Sequence, residues 1–236
     1  MGAVNTEVFR DGRRIGHNSD GSGFYESFRR GLPGASLTEV LQPGAGGAGA
    51  AVAQACPALG VGRLYLPDAA PGRAAQLAQD LNTRAGRPFA QAIGHAAEVT
   101  RRISGLINAT PMGMADHQGT APDPALLDPR HRVAEIVCFP LETELLRLAR
   151  APGCRRLDGG GMAVFQAARA SELFTGRRAD RARMLAHVAT MPPPCPPIHT
   201  VLARGIFVDR RVARAPIGFI SIEIIAPDVR SCGFTA

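Results

Sequence analysis

The sequence predicts an α/β fold built on a doubly wound parallel sheet, which a short β-hairpin precedes. Short apolar segments alternate with longer helical patterns from residue 37 to residue 190, as is typical of βαβ units. A glycine-rich stretch lies between the first of these strands and the first of these helices. With 45% apolar residues, the 236-residue chain can bury a core in one or two domains.

The N-terminal segment has the pattern of a hairpin followed by a helix. Residues 4–9 and Ile15 have strand character, and Asp11-Gly12 between them is a strong hairpin-turn signal. Helical spacing follows at residues 24–30, and the helix is expected to end near Gly31.

The remainder divides into the alternating elements of the sheet and a C-terminal tail. Strands are predicted at residues 37–41, 64–66, 106–109 and 133–139, and helices at 50–58, 73–84, 142–150, 162–174 and 177–188. Pro43 is expected to remove a sheet N–H, and Pro57 to kink or end its helix. Five prolines within 191–197 end the regular pattern, and the Ile-rich run 218–226 suits a single strand, so 191–236 is expected to be poorly packed.

The glycine-rich stretch fits G-x-G-x-x-G, the Rossmann-like dinucleotide fingerprint. In this pattern the first glycine allows a tight turn, the second lets a pyrophosphate approach the backbone, and the third lets helix and strand pack closely. The anion then lies at a helix N-terminus. The alternative is a structural glycine loop. The predicted cofactor-binding glycines are Gly44, Gly46, Gly47 and Gly49.

An acidic residue follows the loop at the distance that dinucleotide-binding sites require. Asp68 ends the second predicted strand, where a carboxylate accepts hydrogen bonds from ribose hydroxyls and repels a 2′-phosphate. The sequence therefore favours NAD over NADP as cofactor. Two alternatives remain: Asp68 is an ordinary loop residue beside Pro67, or Arg73 meets a 2′-phosphate.

Charge and composition exclude several classes of chemistry. All 27 basic residues are Arg, so no Schiff base, P-loop Lys or Lys acid can come from this sequence. Nine Arg and only four acidic residues lie in 177–236, so five of the seven units of net positive charge belong to this C-terminal stretch, and no nucleic-acid partner is predicted. Five unpatterned Cys, no visible signal peptide and no long apolar run predict a cytoplasmic protein without a metal site or membrane span.

Six segments follow one another in the order and spacing of one known family. They are Ala3-Val-Asn-Thr6, Gly16-His-Asn-Ser-Asp20-Gly21, the glycine loop, Asn108-Ala-Thr-Pro-Met-Gly113, Glu135-Ile-Val-Cys-Phe-Pro140 and Gly159-Gly-Gly-Met162-Ala-Val-Phe-Gln166. From about residue 3 to about residue 190 the chain resembles the shikimate dehydrogenase family, including its quinate/shikimate members. Related Rossmann folds, such as tetrahydrofolate dehydrogenases and glutamyl-tRNA reductases, match the first two segments less well.

The resemblance implies an enzyme of the aromatic amino acid (chorismate) pathway. Family members join an N-terminal substrate domain to a Rossmann domain and exchange a hydride between a nicotinamide and the C3 hydroxyl of shikimate or quinate, or reduce 3-dehydroshikimate. It implies that Asp20 is catalytic and binds substrate hydroxyls, and that Cys138 replaces a Tyr of the cleft. The implied substrate contacts are Asn5, Asp20 and Gln166, and the implied cofactor contacts are Asn108, Thr110, Met112, Gly113 and Gly159.

The resemblance also implies a departure from the family pattern. The family's serine pair, its Asn-Val-Thr-x-Pro-x-Lys segment and its catalytic Lys would precede Ala3, and the sequence holds none of them. We therefore expect a dehydrogenase impaired as this chain stands; the alternative is an inactive dinucleotide-binding fragment. The predicted parts are a substrate-domain remnant (1–23), a linking helix (24–36), a dinucleotide-binding domain (37–157), returning helices (158–190) and a Pro-rich tail (191–236).

Overall fold

The chain begins with a two-stranded antiparallel sheet that stands apart from the main sheet. A computed structural model describes residues 4–190. Strands β1 (Thr6–Arg10) and β2 (Arg13–His17) pair with Val8 opposite Ile15. Asp11 and Gly12 join them with φ of 51° and 70°, the left-handed geometry of a two-residue hairpin turn. The predicted hairpin is confirmed.

Six parallel strands form the main sheet. Its strands are β3 (Glu39–Leu41), β4 (Arg63–Leu66), β5 (Ala90–Ala92), β6 (Gly105–Asn108), β7 (Arg132–Glu135) and β8 (Arg155–Leu157). Their order is β5-β4-β3-β6-β7-β8, so the winding reverses between β3 and β6. Ligands of such sheets bind outside the carboxyl ends of the strands at this point of reversal. The predicted doubly wound parallel sheet is confirmed.

Six α-helices lie within residues 4–190. They are α1 (Asp20–Gly31), α2 (Gly47–Ala55), α3 (Pro71–Ala85), α4 (Glu144–Arg150), α5 (Gly160–Thr175) and α6 (Arg181–Thr190), with short 3-10 turns at Pro57–Leu59, Ala96–Glu98 and Pro124–Leu126. None of the helices in this range is long and apolar enough to cross a membrane. The tail and its Ile-rich run lie outside the described residues.

Several predicted boundaries are wrong, for local physical reasons. Strands β5 and β8 have only three residues each, too few for a strand pattern to show. Strand β7 ends at Glu135, not at residue 139: Ile136 N still donates to Asn108 O at 3.2 Å, but it also donates to the Glu135 carboxylate, as does Val137 N. Helix α6 begins after Asp180, whose side chain accepts a hydrogen bond from Arg183 N at 3.0 Å.

The two prolines near the glycine loop have different outcomes. Helix α2 ends at Ala55, and Pro57 opens a 3-10 turn, so the expectation for that proline is confirmed. Pro43 lies two residues beyond the end of β3, and the expectation that it removes a sheet N–H stays a prediction. Its carbonyl accepts a hydrogen bond from Ala109 N at 2.9 Å, which ties the loop to the end of β6.

Two apolar clusters cover the two faces of the sheet. Val40, Leu64 and Ile107 pack with residues of α1, α2, α3 and α5 on one face. Leu41 and Leu106 pack with residues of α4 on the other. The successive residues Val40 and Leu41 of β3 thus reach opposite faces, and both are apolar because both faces are covered.

Helices α1, α5 and α6 are tied together by packing and by charge. Arg181 bonds Glu26 of α1 and Glu172 of α5, each at 3.1 Å. The hydrogen bond from Arg181 lowers the pKa of Glu172 to about 2. Helix α1 begins at Asp20, which lies inside the predicted substrate-domain remnant (1–23). The predicted division of the chain into five parts stays a prediction.

We predict that Gly23→Ala destabilises the protein by about 1–3 kcal/mol through overpacking. A Cβ on Gly23 would lie 2.7 Å from Met162 O and 2.8 Å from Gln166 N, which are backbone atoms of α5. Urea unfolding measures the effect, with Gly72→Ala in α3 as the control, because its Cβ would meet nothing within 4 Å. Equal stabilities of the two variants would contradict close packing of α1 on α5.

Candidate active site

The glycines of the loop differ in whether a Cβ atom would have room at each position. A Cβ on Gly44, whose φ is +96°, would overlap with Ala109 O, and a Cβ on Gly49 would overlap with Gly44 O. Gly46, in contrast, has nothing within 4 Å of its Cβ position. The first and third glycines therefore let the backbones approach, and the second leaves room for a ligand.

Free N–H groups border this open space. The first helical bond of α2 runs from Ala50 N to Gly46 O at 2.8 Å. The N–H groups of Gly46 to Gly49 precede that bond and have no partner within the helix. They lie at the carboxyl edge of the sheet, at the positive end of the helix dipole, where an anion is stabilised.

Asp68 is joined to the glycine loop itself. Its Oδ2 accepts a hydrogen bond from Ala45 N at 2.7 Å, and its Oδ1 accepts from Ala70 N at 2.8 Å. Arg73 Nη2 contacts the same Oδ1 at 2.9 Å. Burial raises the pKa of Asp68, but the hydrogen bonds from Ala70, Ala45 and Arg73 together hold that pKa below its ordinary value. The ionised carboxylate thus fixes the loop and pairs with Arg73.

Asn108 lies beneath the loop that follows β6. Its side chain is fully buried: Nδ2 donates to Met112 O at 3.1 Å and to both oxygens of Glu135 at 3.0 Å. Its Oδ1 accepts from Thr110 Oγ1 at 2.7 Å. Asn108 therefore shapes the loop from below, and the cofactor contacts of Asn108, Thr110, Met112 and Gly113 stay predictions.

Gly113 and Gly159 occupy close-packed positions near this loop. Gly113 has φ of +102°, and its Cβ would lie 3.2 Å from the Thr143 side chain. A Cβ on Gly159 would overlap with Val137 O, so the start of α5 lies against the backbone that continues β7. Both glycines are needed for packing, and their contacts with a cofactor stay predictions.

Two of the predicted substrate residues, Asn5 and Gln166, meet at the buried hydroxyl of Ser19, and the third, Asp20, is hydrogen-bonded by Asn5. Ser19 Oγ lies 3.2 Å from Asn5 Oδ1 and 3.3 Å from Gln166 Oε1. Burial raises the pKa of Asp20, opposed by a hydrogen bond from Asn5. The structure thus brings together a residue that precedes β1, a residue of α1 and a residue of α5, although Gln166 alone would resemble an ordinary helix-surface residue.

Two observations connect the substrate cluster, by which we mean the predicted substrate residues Asn5, Asp20 and Gln166, to the rest of the candidate site. Burial raises the pKa of the Cys138 thiol, and the nearby negative charge of Asp20 raises it further. A Cβ on Gly21 would lie 2.8 Å from Ala51 O, so the start of α1 lies against α2. The substrate cluster is therefore adjacent both to the segment after β7 and to the helix that follows the glycine loop.

The sequence is similar to curated shikimate and quinate dehydrogenases. A family model described as the shikimate 5'-dehydrogenase C-terminal domain matches residues 159–188. The chain is 54% identical over 193 residues to a shikimate dehydrogenase (NADP(+)) of Streptomyces avermitilis. It is 47% identical over 189 residues to a quinate/shikimate dehydrogenase (NAD(+)) of Corynebacterium efficiens. The alignments cover 81% and 79% of this chain and 66% of each relative, so the chain spans just under two thirds of their length.

A solved structure of a quinate dehydrogenase matches this chain in fold as well as in sequence. Quinate dehydrogenase from Corynebacterium glutamicum in complex with NAD matches with a TM-score of 0.75 and 44% identity, over 80% of this chain and 68% of that chain. The chain belongs to the shikimate dehydrogenase family. The family and fold predicted from the six segments are confirmed. The relatives are named for both NAD(+) and NADP(+), so membership in the shikimate dehydrogenase family leaves the choice of dinucleotide open.

Two buried residues of this shikimate dehydrogenase family site were missed by the sequence analysis. Gln42 is fully buried, and its Nε2 donates to Gly44 O at 3.1 Å and to Gly49 O at 2.9 Å, which fixes the loop from beneath. Glu135 is almost fully buried, and burial raises its pKa to about 7, although hydrogen bonds from four residues act to lower it. A polar residue at the end of an apolar strand is the signal that marks both.

Proposed function

We propose that this chain binds a nicotinamide dinucleotide across the carboxyl edge of its sheet, with the pyrophosphate at the glycine loop. The observation that carries the proposal is the open space at Gly46, flanked by two glycines whose Cβ positions are filled. A loop that served only for packing would not need a glycine at Gly46, whose φ of −72° suits any residue. The NAD complex of the Corynebacterium glutamicum relative adds support.

The proposed substrate belongs to the shikimate and quinate class. Asn5, Asp20 and Gln166 present an amide, a carboxylate and a second amide, which suit the vicinal hydroxyls of a cyclic polyol. Asp20 would accept from the reacting alcohol and orient it toward the nicotinamide. The names of the relatives, which are shikimate and quinate dehydrogenases, support this substrate class.

A second candidate function is dinucleotide binding without turnover. The observation that favours it is the absence of Lys from the sequence, since the resemblance assigns the proton transfer of the reaction to a Lys. General acid/base catalysis contributes about 10²–10⁴-fold. The expectations of a cytoplasmic location and of no nucleic-acid partner stay predictions.

We predict that Gly46→Ala weakens NAD binding about tenfold or more without loss of stability, because the methyl group occupies only the proposed pyrophosphate position. Isothermal titration calorimetry with NAD measures the affinity, and thermal unfolding measures the stability. Gly49→Ala is the matched comparison: it should lower the thermal midpoint, because its Cβ overlaps with Gly44 O. Unchanged NAD affinity in Gly46→Ala, or no NAD binding by the wild type, would refute the proposed site.

We predict that Asp68→Asn shifts the preference from NAD toward NADP by about tenfold or more. The substitution removes the negative charge that opposes a 2′-phosphate and frees Arg73 from its ion pair. Calorimetry with both dinucleotides gives the ratio of the two dissociation constants. Asp80→Asn is the control, because Asp80 lies on the exposed side of α3 and bonds only Gln76 among the contacts found for its side chain. An unchanged ratio would exclude a role of Asp68 in cofactor choice.

We predict that this chain alone oxidises shikimate or quinate at least about 10²-fold more slowly than the Corynebacterium glutamicum quinate dehydrogenase, for lack of a Lys acid/base. Absorbance of the reduced nicotinamide follows the reaction with NAD and with NADP at saturating substrate. Rates equal to those of the relative would contradict the second candidate and show that another group of this chain transfers the proton.

A further inference from the structure

Glu135 is a buried carboxylate that no part of the proposed mechanism uses. It ends β7 directly opposite Asn108 of β6 and is 1% exposed. Asn108 Nδ2 donates to both of its oxygens at 3.0 Å, and Thr143 Oγ1 donates to Oε2 at 3.0 Å. The backbone N–H groups of Ile136 and Val137 donate to Oε1 at 3.0 and 3.1 Å. One side chain therefore collects donors from four separate positions.

One set of these bonds leads to the cofactor side of the site. Asn108, held by Glu135, accepts hydrogen bonds from Thr110 N at 3.1 Å and Thr110 Oγ1 at 2.7 Å. Thr110 Oγ1 in turn accepts from Met112 N at 3.2 Å. The loop from Asn108 to Gly113 is thus folded around the Asn108 amide, and the orientation of that amide is set by the carboxylate below it.

The other set leads to the substrate side. Glu135 Oε1 accepts from the N–H groups of Ile136 and Val137, which directly precede Cys138, and the negative charge of Asp20 acts on the Cys138 thiol. Gly159, at the start of the helix that carries Gln166, packs against Val137 O. The direction of the backbone after Glu135 therefore determines where this wall of the substrate cluster lies.

We propose that Glu135 is a positioning residue that couples the cofactor loop 108–113 to the substrate-side segment 136–138. The inference deepens the proposed function and rests on it for the identity of the ligands. The loop and the segment are joined in two ways: by a backbone bond from Ile136 N to Asn108 O at 3.2 Å, and by the Glu135 side chain, which bonds both.

Stability alone does not account for a carboxylate at this position. Burying a carboxylate is unfavourable, and apolar residues of similar volume often stabilise a protein as well or better. The neighbours of Glu135 within the strand, Val133 and Ala134, are apolar and fully buried. The bonds that offset the burial of Glu135 go to segments of the site, so the residue specifies the arrangement of the site.

Glu135→Gln tests the proposal, because it keeps the shape and removes one acceptor. Whichever way the new amide is oriented, its NH₂ group faces Asn108 Nδ2, which contacts both oxygens of the wild-type side chain. The measurements are made at about pH 8.5, where a carboxyl of raised pKa is ionised. We expect NAD affinity to fall about tenfold or more. We also expect alkylation of Cys138 by iodoacetamide, without NAD and followed by peptide mapping, to become several-fold faster.

Matched variants separate positioning from general damage. Glu144→Gln makes the same chemical change at an exposed residue of the first turn of α4 and should alter neither measurement by more than twofold. Thr143→Val removes the hydroxyl that contacts Glu135 and that also caps α4 by accepting from Leu146 N, so its thermal midpoint is measured beside both readouts, which should change in the direction of Glu135→Gln. Thr143→Ser keeps that hydroxyl and should restore both toward wild type. The Thr143 pair decides the question if Glu135→Gln fails to fold.

The outcomes also distinguish this inference from the proposed function. Unchanged NAD affinity and Cys138 alkylation in folded Glu135→Gln, with NAD bound by the wild type, would overturn the inference and leave the proposed function standing. Failure of the wild type to bind NAD would overturn the proposed function, and the alkylation rates measured without NAD would still test whether Glu135 positions the segment at Cys138. Thr143→Ser behaving like Thr143→Val would overturn the inference.

Discussion

The close approach of three backbone segments at the point where the winding reverses is the constraint on which the rest of the site depends. Gly44 touches the carbonyl of Ala109 at the end of β6, and Gly49 touches the carbonyl of Gly44. No side chain fits at either contact, so the loop, the strand and the first turn of α2 can meet only as bare backbone. The N-terminus of α2 is thereby held at the sheet edge.

Polar side chains keep this backbone arrangement in place where apolar packing cannot. The Gln42 amide bonds two carbonyls of the glycine loop, the Asp68 carboxylate bonds one of its N–H groups, and Glu135 holds Asn108 beneath the next loop. Each is buried or nearly so, and each uses its hydrogen bonds on loop backbone or on a side chain that holds loop backbone. Burying a polar group is unfavourable unless the group is hydrogen-bonded, so these side chains favour the one loop conformation in which their hydrogen bonds form.

The features that could be predicted from sequence are those with local causes. The hairpin turn at Asp11-Gly12 and the glycines at Gly44 and Gly49 require particular backbone angles or missing side chains, and residue types alone reveal these. Glu135 escaped prediction because its partner Asn108 lies 27 residues away on another strand. Gln42 escaped prediction because its bonds to Gly44 O and Gly49 O depend on how the glycine loop folds. Asp68 illustrates the mixed case: its position is predicted by spacing, whereas its bond to Ala45 depends on the folded loop.

The electrostatics of Asp20 connect the composition of the chain to its chemistry. Burial raises the pKa of this carboxyl, and the Asn5 hydrogen bond is the opposing influence that residues 4–190 provide. A cation beside a buried carboxylate would lower its pKa, and the resemblance assigns a Lys to that place, yet all 27 basic residues of the sequence are Arg. The raised pKa of Asp20 is what burial produces when no cation lies beside the carboxylate. In the proposed function Asp20 orients the substrate, while the proton transfer that the resemblance assigns to a Lys has no residue of that type in this sequence to perform it.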